Sequence, residues 1–213
     1  MGLAVGDEAE AWRGAGFAVG DDGTCRIGAV VIRLLGRAIG TGVRAWSFRD
    51  LAADVTDLDG IPTRGVDPGP GAGPDGGAHP NGVELIDHVV VATPDPERTI
   101  AALERAGLTH RRTRLPDDHP APMRQDFFRA GEVILELIGP RDPDPAEADR
   151  PARIYGLAHT VTDLDASAAA LGPLLGPAKD AVQPGRRIAT VRTRDLDLSV
   201  PTALLTPGAG ALR

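Results

Sequence analysis

Two stretches of the chain switch abruptly from a strand-like to a helix-like rhythm. ELIDHVVVAT (84–93) is dominated by β-branched residues and reads as a buried strand. In the PDPERTIAALERAGL that follows, Ile100, Leu103 and Ala106 fall on one helical face. Asp95 suits the cap of that helix, Pro96 its first turn and Gly107 its end. RQDFFRA (124–130) and EVILELIG (132–139) return to a strand rhythm. The last third repeats the order. IYGLAHTVTDL (154–164) reads as a strand, and DLDASAAALGPLLG as a short Ala/Leu helix capped by Asp163 or Asp165. RRIATVRT (186–193) alternates like a strand, and LDLSVPTALLT follows as an edge or interrupted strand because of Pro201.

The N-terminal part carries a fainter copy. TCRIGAVVIRLLG (24–36) can be laid on FRAGEVILELIG (128–139), matching Gly28 with Gly131, Arg33 with Glu136 and Gly36 with Gly139. DEAEAWRGAGF resembles a helix ending like ERAGL, and VRAWSF (43–48) reads as one more strand. Between the copies, residues 65–80 are almost all Gly, Pro, Asp and Ala, which predicts a linker with His79 in solvent. The pattern predicts an α+β fold: tandem βαβββ modules (82–140 and 154–207) forming an open cupped barrel within 81–213. A degenerate module of the same type occupies 1–64. The interior of the cup is the natural ligand pocket.

Composition narrows the function classes. Hydrophobic residues make up 42% but aromatics only 3%, so the core rests on Val, Ile, Leu and Ala, with little left for base stacking. A net charge of -7 repels nucleic-acid phosphate. Arg111, Arg112 and Arg114 sit beside Asp117 and Asp118 and read as a solvated loop. The single cysteine, Cys25, reads as a packed thiol and fits a reducing cytoplasm. The most apolar run, Ile27 to Val43, is cut by Arg33 and Arg37, whereas a membrane span needs about 20 mostly apolar residues. The acidic start MGLAVGDEAEAW lacks the features of a secretory signal. No glycine-rich phosphate loop follows a strand, so no nucleotide cofactor is expected. The expectation is a cytoplasmic protein with a small-molecule ligand and no nucleic-acid or membrane partner.

IDHVVVATPD, the Ala/Leu helix, RQDFFRAGEVILELIGP and GLAHTVTDLD together resemble the vicinal-oxygen-chelate superfamily of glyoxalases, epimerases, extradiol dioxygenases and bleomycin-resistance proteins. The resemblance covers about residues 82–207. It implies two metal-ligand positions per module, one on the first strand and one on the last. Carried over, these fall on His88 and Glu136 in the first module and on His159 in the second. The fourth falls on Ala203, or on Thr202 or Leu204 with a one-residue slip, where no carboxylate is available. In the N-terminal copy Arg33 takes the ligand position and Ala4 lies near the histidine position.

Two imidazoles and a carboxylate suit Fe(II), and also Mn(II), Zn(II) or Ni(II), with positions open to substrate. The resemblance therefore implies a divalent-metal isomerase, lyase or dioxygenase held by His88, Glu136 and His159. The missing second glutamate argues against a glyoxalase I reaction. The rival is a metal-free ligand-sequestering protein of the resistance type. In it His88 is a hydrogen-bonded pocket histidine, and Glu136 binds an amine or pairs with Arg124 or Arg186. Arg124 and Gln125 are candidates for the pocket. Alternation sends one of Arg186 and Arg187 into the cup as a carboxylate or enolate binder and the other outward. Homodimerisation is expected from the open cups of the family.

Overall fold

The computed structural model describes residues 1–52, 54–65, 78–117 and 121–208. Most of the predicted linker lies outside these residues. The first unit runs β1 (Gly2–Val5), α1 (Ala9–Gly14), β2 (Thr24–Ile27), β3 (Val30–Leu34), β4 (Val43–Phe48), β5 (Asp57–Leu58) and β6 (Ile61–Gly65). Its sheet has the order β2-β3-β1-β4-β6-β5.

The second unit runs β7 (Val83–Ala92), α2 (Pro96–Arg105), β8 (Thr109–Arg114), β9 (Met123–Ala130), β10 (Val133–Pro140), β11 (Arg153–Val161), α3 (Leu164–Leu171), β12 (Lys179–Asp180), β13 (Arg187–Thr190) and β14 (Thr202–Leu205). Its eight-stranded sheet has the order β12-β13-β14-β11-β7-β10-β9-β8. No described helix is long and apolar enough to cross a membrane.

The helix signals act as read. The Asp95 carboxylate accepts the Arg98 amide, and Asp163 accepts the amides of Asp165 and Ala166. Gly28 and Gly131 both take positive φ in the β2–β3 and β9–β10 hairpins, which is why the glycine matched across the repeat.

The first unit holds more than one copy. β4 pairs antiparallel with β1, and parallel with β6, as β11 pairs with β7 and β14. The β4–β6 segment therefore mirrors the second half of the larger sheet, with its helix lost.

Paired strand residues share a face. Leu135 and Leu137 pair beside Val89 and Val91, and opposite Phe128 and Asp126, on the face that α2 covers. Leu157 and His159 of β11 lie on that covered face too. The first unit also packs here. Phe17 stacks on His159 with ring centroids 5.3 Å apart, and Arg98 and Thr99 of α2 donate to Asp59. Asp7 accepts from the amide and hydroxyl of Ser199. His79 does not stand in solvent: it is 8% exposed, takes the Ala18 amide at Nδ1 and donates from Nε2 to the Arg26 carbonyl. It fastens the start of the second unit to the first. Cys25 is buried, and burial pushes its thiol up to about 12, which makes it inert.

Candidate functional site

The opposite, open face of the eight-stranded sheet holds the polar residues. Gln125 and Phe127 of β9, Glu136 of β10 and His88 of β7 are register neighbours on it. A β-bulge at Asp87 turns that side chain to the same face as His88. Asp87 Oδ2 meets His88 Nδ1 at 2.8 Å, and the Thr160 hydroxyl donates to Asp87 Oδ1. His88 Nε2 lies 3.3 Å from Glu136 Oε2. Gln125 Nε2 donates to Glu136 Oε1 at 2.8 Å, and Arg114 donates to Gln125 Oε1 at 2.9 Å. From the far edge of the sheet, Arg186 reaches over to donate to Asp87 Oδ1 at 2.7 Å. The result is one chain across the sheet: Arg186, Asp87, His88, Glu136, Gln125, Arg114.

Electrostatics follow from this order. Burial opposes the charge on Asp87, but bonds from His88 and Arg186 outweigh it and hold the carboxyl well below its usual range. Burial raises Glu136, partly offset by the charges of His88, Arg114 and Arg112. Asp87 is thus a fixed anion that orients the imidazole, while Glu136 is a carboxylate whose charge is less favoured.

The site residues predicted from sequence separate into two groups. His88, Glu136 and Gln125 meet on the open face. Arg186 is 5% exposed and turns inward, while Arg187 pairs with Asp165 on α3. Glu136 bonds His88 and Gln125 rather than Arg124 or Arg186. Arg124 lies on the covered face, bound to Asp126 and to Glu97 of α2, so it holds helix to sheet. His159 is fully buried on that covered face. Neither of its ring nitrogens meets a hydrogen-bond partner among the described residues. Burial, with His79 and His88 nearby, lowers its pKa to about 3.

The register explains why His159 is not the mate of His88. His88 pairs with Ala158 and Val90 with Gly156, so the two central strands exchange by a two-fold that adds 68 to the residue number (156 − 88 and 158 − 90). The same offset relates the caps Asp95 and Asp163 (163 − 95) and the bulged residues Asp87 and Tyr155 (155 − 87). By this operation His88 corresponds to Gly156 and His159 to Val91. Glu136, beside Val90, corresponds to Ala203, beside Ala158. In the N-terminal copy Arg33 pairs with Ala4 as Glu136 does with Val90, which puts Gly2 at the histidine position.

Gly156 has no room for a side chain. A Cβ there would sit 2.7 Å from the Pro201 carbonyl oxygen. The donors present do not fit the implied three-ligand metal site. Among the described residues, no group of three or more His, Cys, Asp or Glu is disposed to hold a metal ion.

Sequence reading missed Asp87, whose bulge has no local sequence signal, and Arg112 and Arg114, which lie on strand β8 rather than in a loop. Thr113 between them bonds Asp126 on the covered face, which puts both arginines on the open one.

Residues 87–173 match the model of the glyoxalase/bleomycin resistance protein/dioxygenase superfamily. Comparison with curated proteins returns no match. Among solved structures, a variant of 4-hydroxymandelate synthase from Streptomyces coelicolor superposes with a TM-score of 0.64 at 18% identity, covering 98% of this chain and 91% of that one. Homoprotocatechuate 2,3-dioxygenase from Brevibacterium fuscum gives 0.57 at 15% identity, covering 97% and 70%. Methylmalonyl-CoA epimerase from Mycobacterium tuberculosis gives 0.46 at 23% identity, covering 60% and 90%. Segment 87–173 is thus similar to the glyoxalase/bleomycin resistance protein/dioxygenase superfamily, and nearly the whole chain shares the fold of 4-hydroxymandelate synthase.

Proposed function

We propose that this chain binds a small molecule on the open face of the eight-stranded sheet and does so without a protein-held divalent metal. The observation that carries this reading is the two-fold register, which fills the four related positions with His88, Glu136, Gly156 and Ala203. Protein metal sites are generally closed by three or four protein ligands, and two donors from one module fall short. The isomerase, lyase or dioxygenase reading needs a third donor on this face, and His159 lies on the other. The binding reading needs only what is present. One half of the face offers fixed donors and acceptors, namely Asp87, His88, Glu136, Gln125 and Arg186. The other half carries no polar side chain: Gly156 and Ala158 are buried and Ala203 is half-buried. Ligand pockets combine these two features.

His88 is the centre of the recognition element. Asp87 fixes its Nδ1, so Nε2 and the neighbouring Glu136 oxygens face the ligand with defined roles. A thermal-shift screen of a small-molecule library, run with and without EDTA, tests the proposal. Ligands that stabilise the protein equally in both conditions are expected. His88→Ala should weaken them by about tenfold or more, the loss of one charge-assisted hydrogen bond. Ligands whose effect disappears with EDTA, or that His88→Ala leaves unchanged, would contradict the proposal.

A further inference from the structure

Strand β8 forms the edge of the open face beside β9. Arg112 pairs opposite Phe127 and Arg114 opposite Gln125, so both arginines share the face of Glu136. The Arg112 guanidinium lies over the Phe127 ring, 4.4 Å from its centroid. It makes no hydrogen bond or ion pair among the described residues. Arg114 spends one N–H on Gln125 and pairs with no carboxylate among those residues. Arg124, one strand away on the covered face, is by contrast bound to two carboxylates. Alternate strand residues stand roughly 7 Å apart. Two guanidiniums therefore look over the same mouth with N–H donors unspent. Stacking on an aromatic ring holds the guanidinium plane while leaving its edge donors free.

We infer that Arg112 and Arg114 form a shelf at the β8 edge of the open face that takes the carboxylate of an organic acid, whose apolar body lies along Phe127 towards Glu136. The inference rests on the open face being the ligand site and names the ligand class. A planar carboxylate matches the guanidinium fork. Asp87 and Glu136 already stand on this face, so a monoanion held at the edge is favoured over a dianionic phosphate ester. The ligand's other end meets acceptors at Glu136 and Asp87, which suits a hydroxyl or amine there.

Isothermal titration with 3-phenylpropanoate, its carboxamide 3-phenylpropanamide, and phenyl phosphate tests the shelf. Arg112→Gln and Arg114→Gln are surface changes at an edge strand, and His88→Ala reports on the floor of the site. The acid is expected to bind at least about tenfold more tightly than the amide, and its affinity should fall with added salt. Arg112→Gln should cost the acid several-fold and leave the amide unchanged, and Arg114→Gln, which also frees Gln125, should cost the acid several-fold more than the amide. Equal binding of acid and amide, no saturable binding of the acid, tighter binding of phenyl phosphate, or arginine variants that bind the acid like wild type would each overturn the inference. If acid and amide bind equally and both are lost in His88→Ala, the shelf fails while the open-face reading stands. If the arginine variants weaken the acid and His88→Ala does not, the shelf stands and the open-face reading fails.

Discussion

Asp7→Ala is expected to destabilise the folded chain by roughly 3–5 kcal/mol, the usual cost of removing one partner from a buried ionic cluster. Asp7 is fully buried between the two units. Its carboxylate accepts from Trp12 Nε1 at 3.1 Å, from the Ser199 amide at 3.0 Å and from the Ser199 hydroxyl at 2.5 Å. Arg37 approaches Oδ1 at 2.9 Å and also holds Asp197. Alanine strands the indole N–H and the Ser199 amide and takes away one of the two carboxylates that Arg37 holds, and unpaired buried donors are the costly ones. Asp7→Asn keeps the acceptor oxygen and should cost less. Urea unfolding of both variants checks this. A loss below about 1 kcal/mol for alanine, within the range of a surface pair, would mean that the contact between the units does not depend on this residue.

His159→Leu should have the opposite sign. The imidazole is fully buried, lies against Phe17 and has two unpartnered nitrogens, so an apolar residue of similar size removes a desolvation penalty. A gain of about 1–3 kcal/mol at neutral pH is expected, or a rise of a few degrees in Tm.

The pH dependence sharpens the test. The folded pKa of about 3 lies below the ordinary 6.5, so the unfolded chain takes up a proton that the folded chain refuses. Above pH 6.5 the ring therefore adds no proton-linked cost to folding, and the fold loses stability as the pH falls from 6.5 towards 3. The loss is on the order of 5 kcal/mol over that interval. Urea unfolding at neutral and mildly acidic pH should show wild type weakening more steeply than His159→Leu. Parallel curves would show that His159 stays uncharged in the unfolded chain or charged in the folded one.

The parts of the fold legible in the sequence are those fixed by local chemistry. The apolar run of β7, the Asp95 and Asp163 caps and the hairpin glycines 28 and 131 each need a particular residue type at that spot. β8 was illegible because THRRTR has polar residues on both faces, so alternation there carries no hydrophobic signal. The fourth copy, β4 to β6, was obscured because its helix is gone and only strand pairing identifies it. His159 matched His88 by its neighbours, yet it lies four residues before its helix cap where His88 lies seven before its own. Distance to the cap, which sets register, outweighs a local triplet. Of the candidate site, His88 and Glu136 came from the resemblance, Gln125 was a pocket candidate, and alternation did not say which of Arg186 and Arg187 turns inward. Asp87 was not legible, because a bulge is decided by pairing with β11.

The central claim is that this open face works without a protein-held metal. Its most direct test is the divalent-metal content of untagged protein, by elemental analysis after incubation with Fe(II), Mn(II), Zn(II) and Ni(II) and removal of excess. The two-fold register predicts far less than one equivalent of any metal, with no difference among wild type, Glu136→Gln and His159→Leu. One equivalent of a divalent metal, lost in Glu136→Gln and in His159→Leu, would contradict it. That result would put both histidines on one centre.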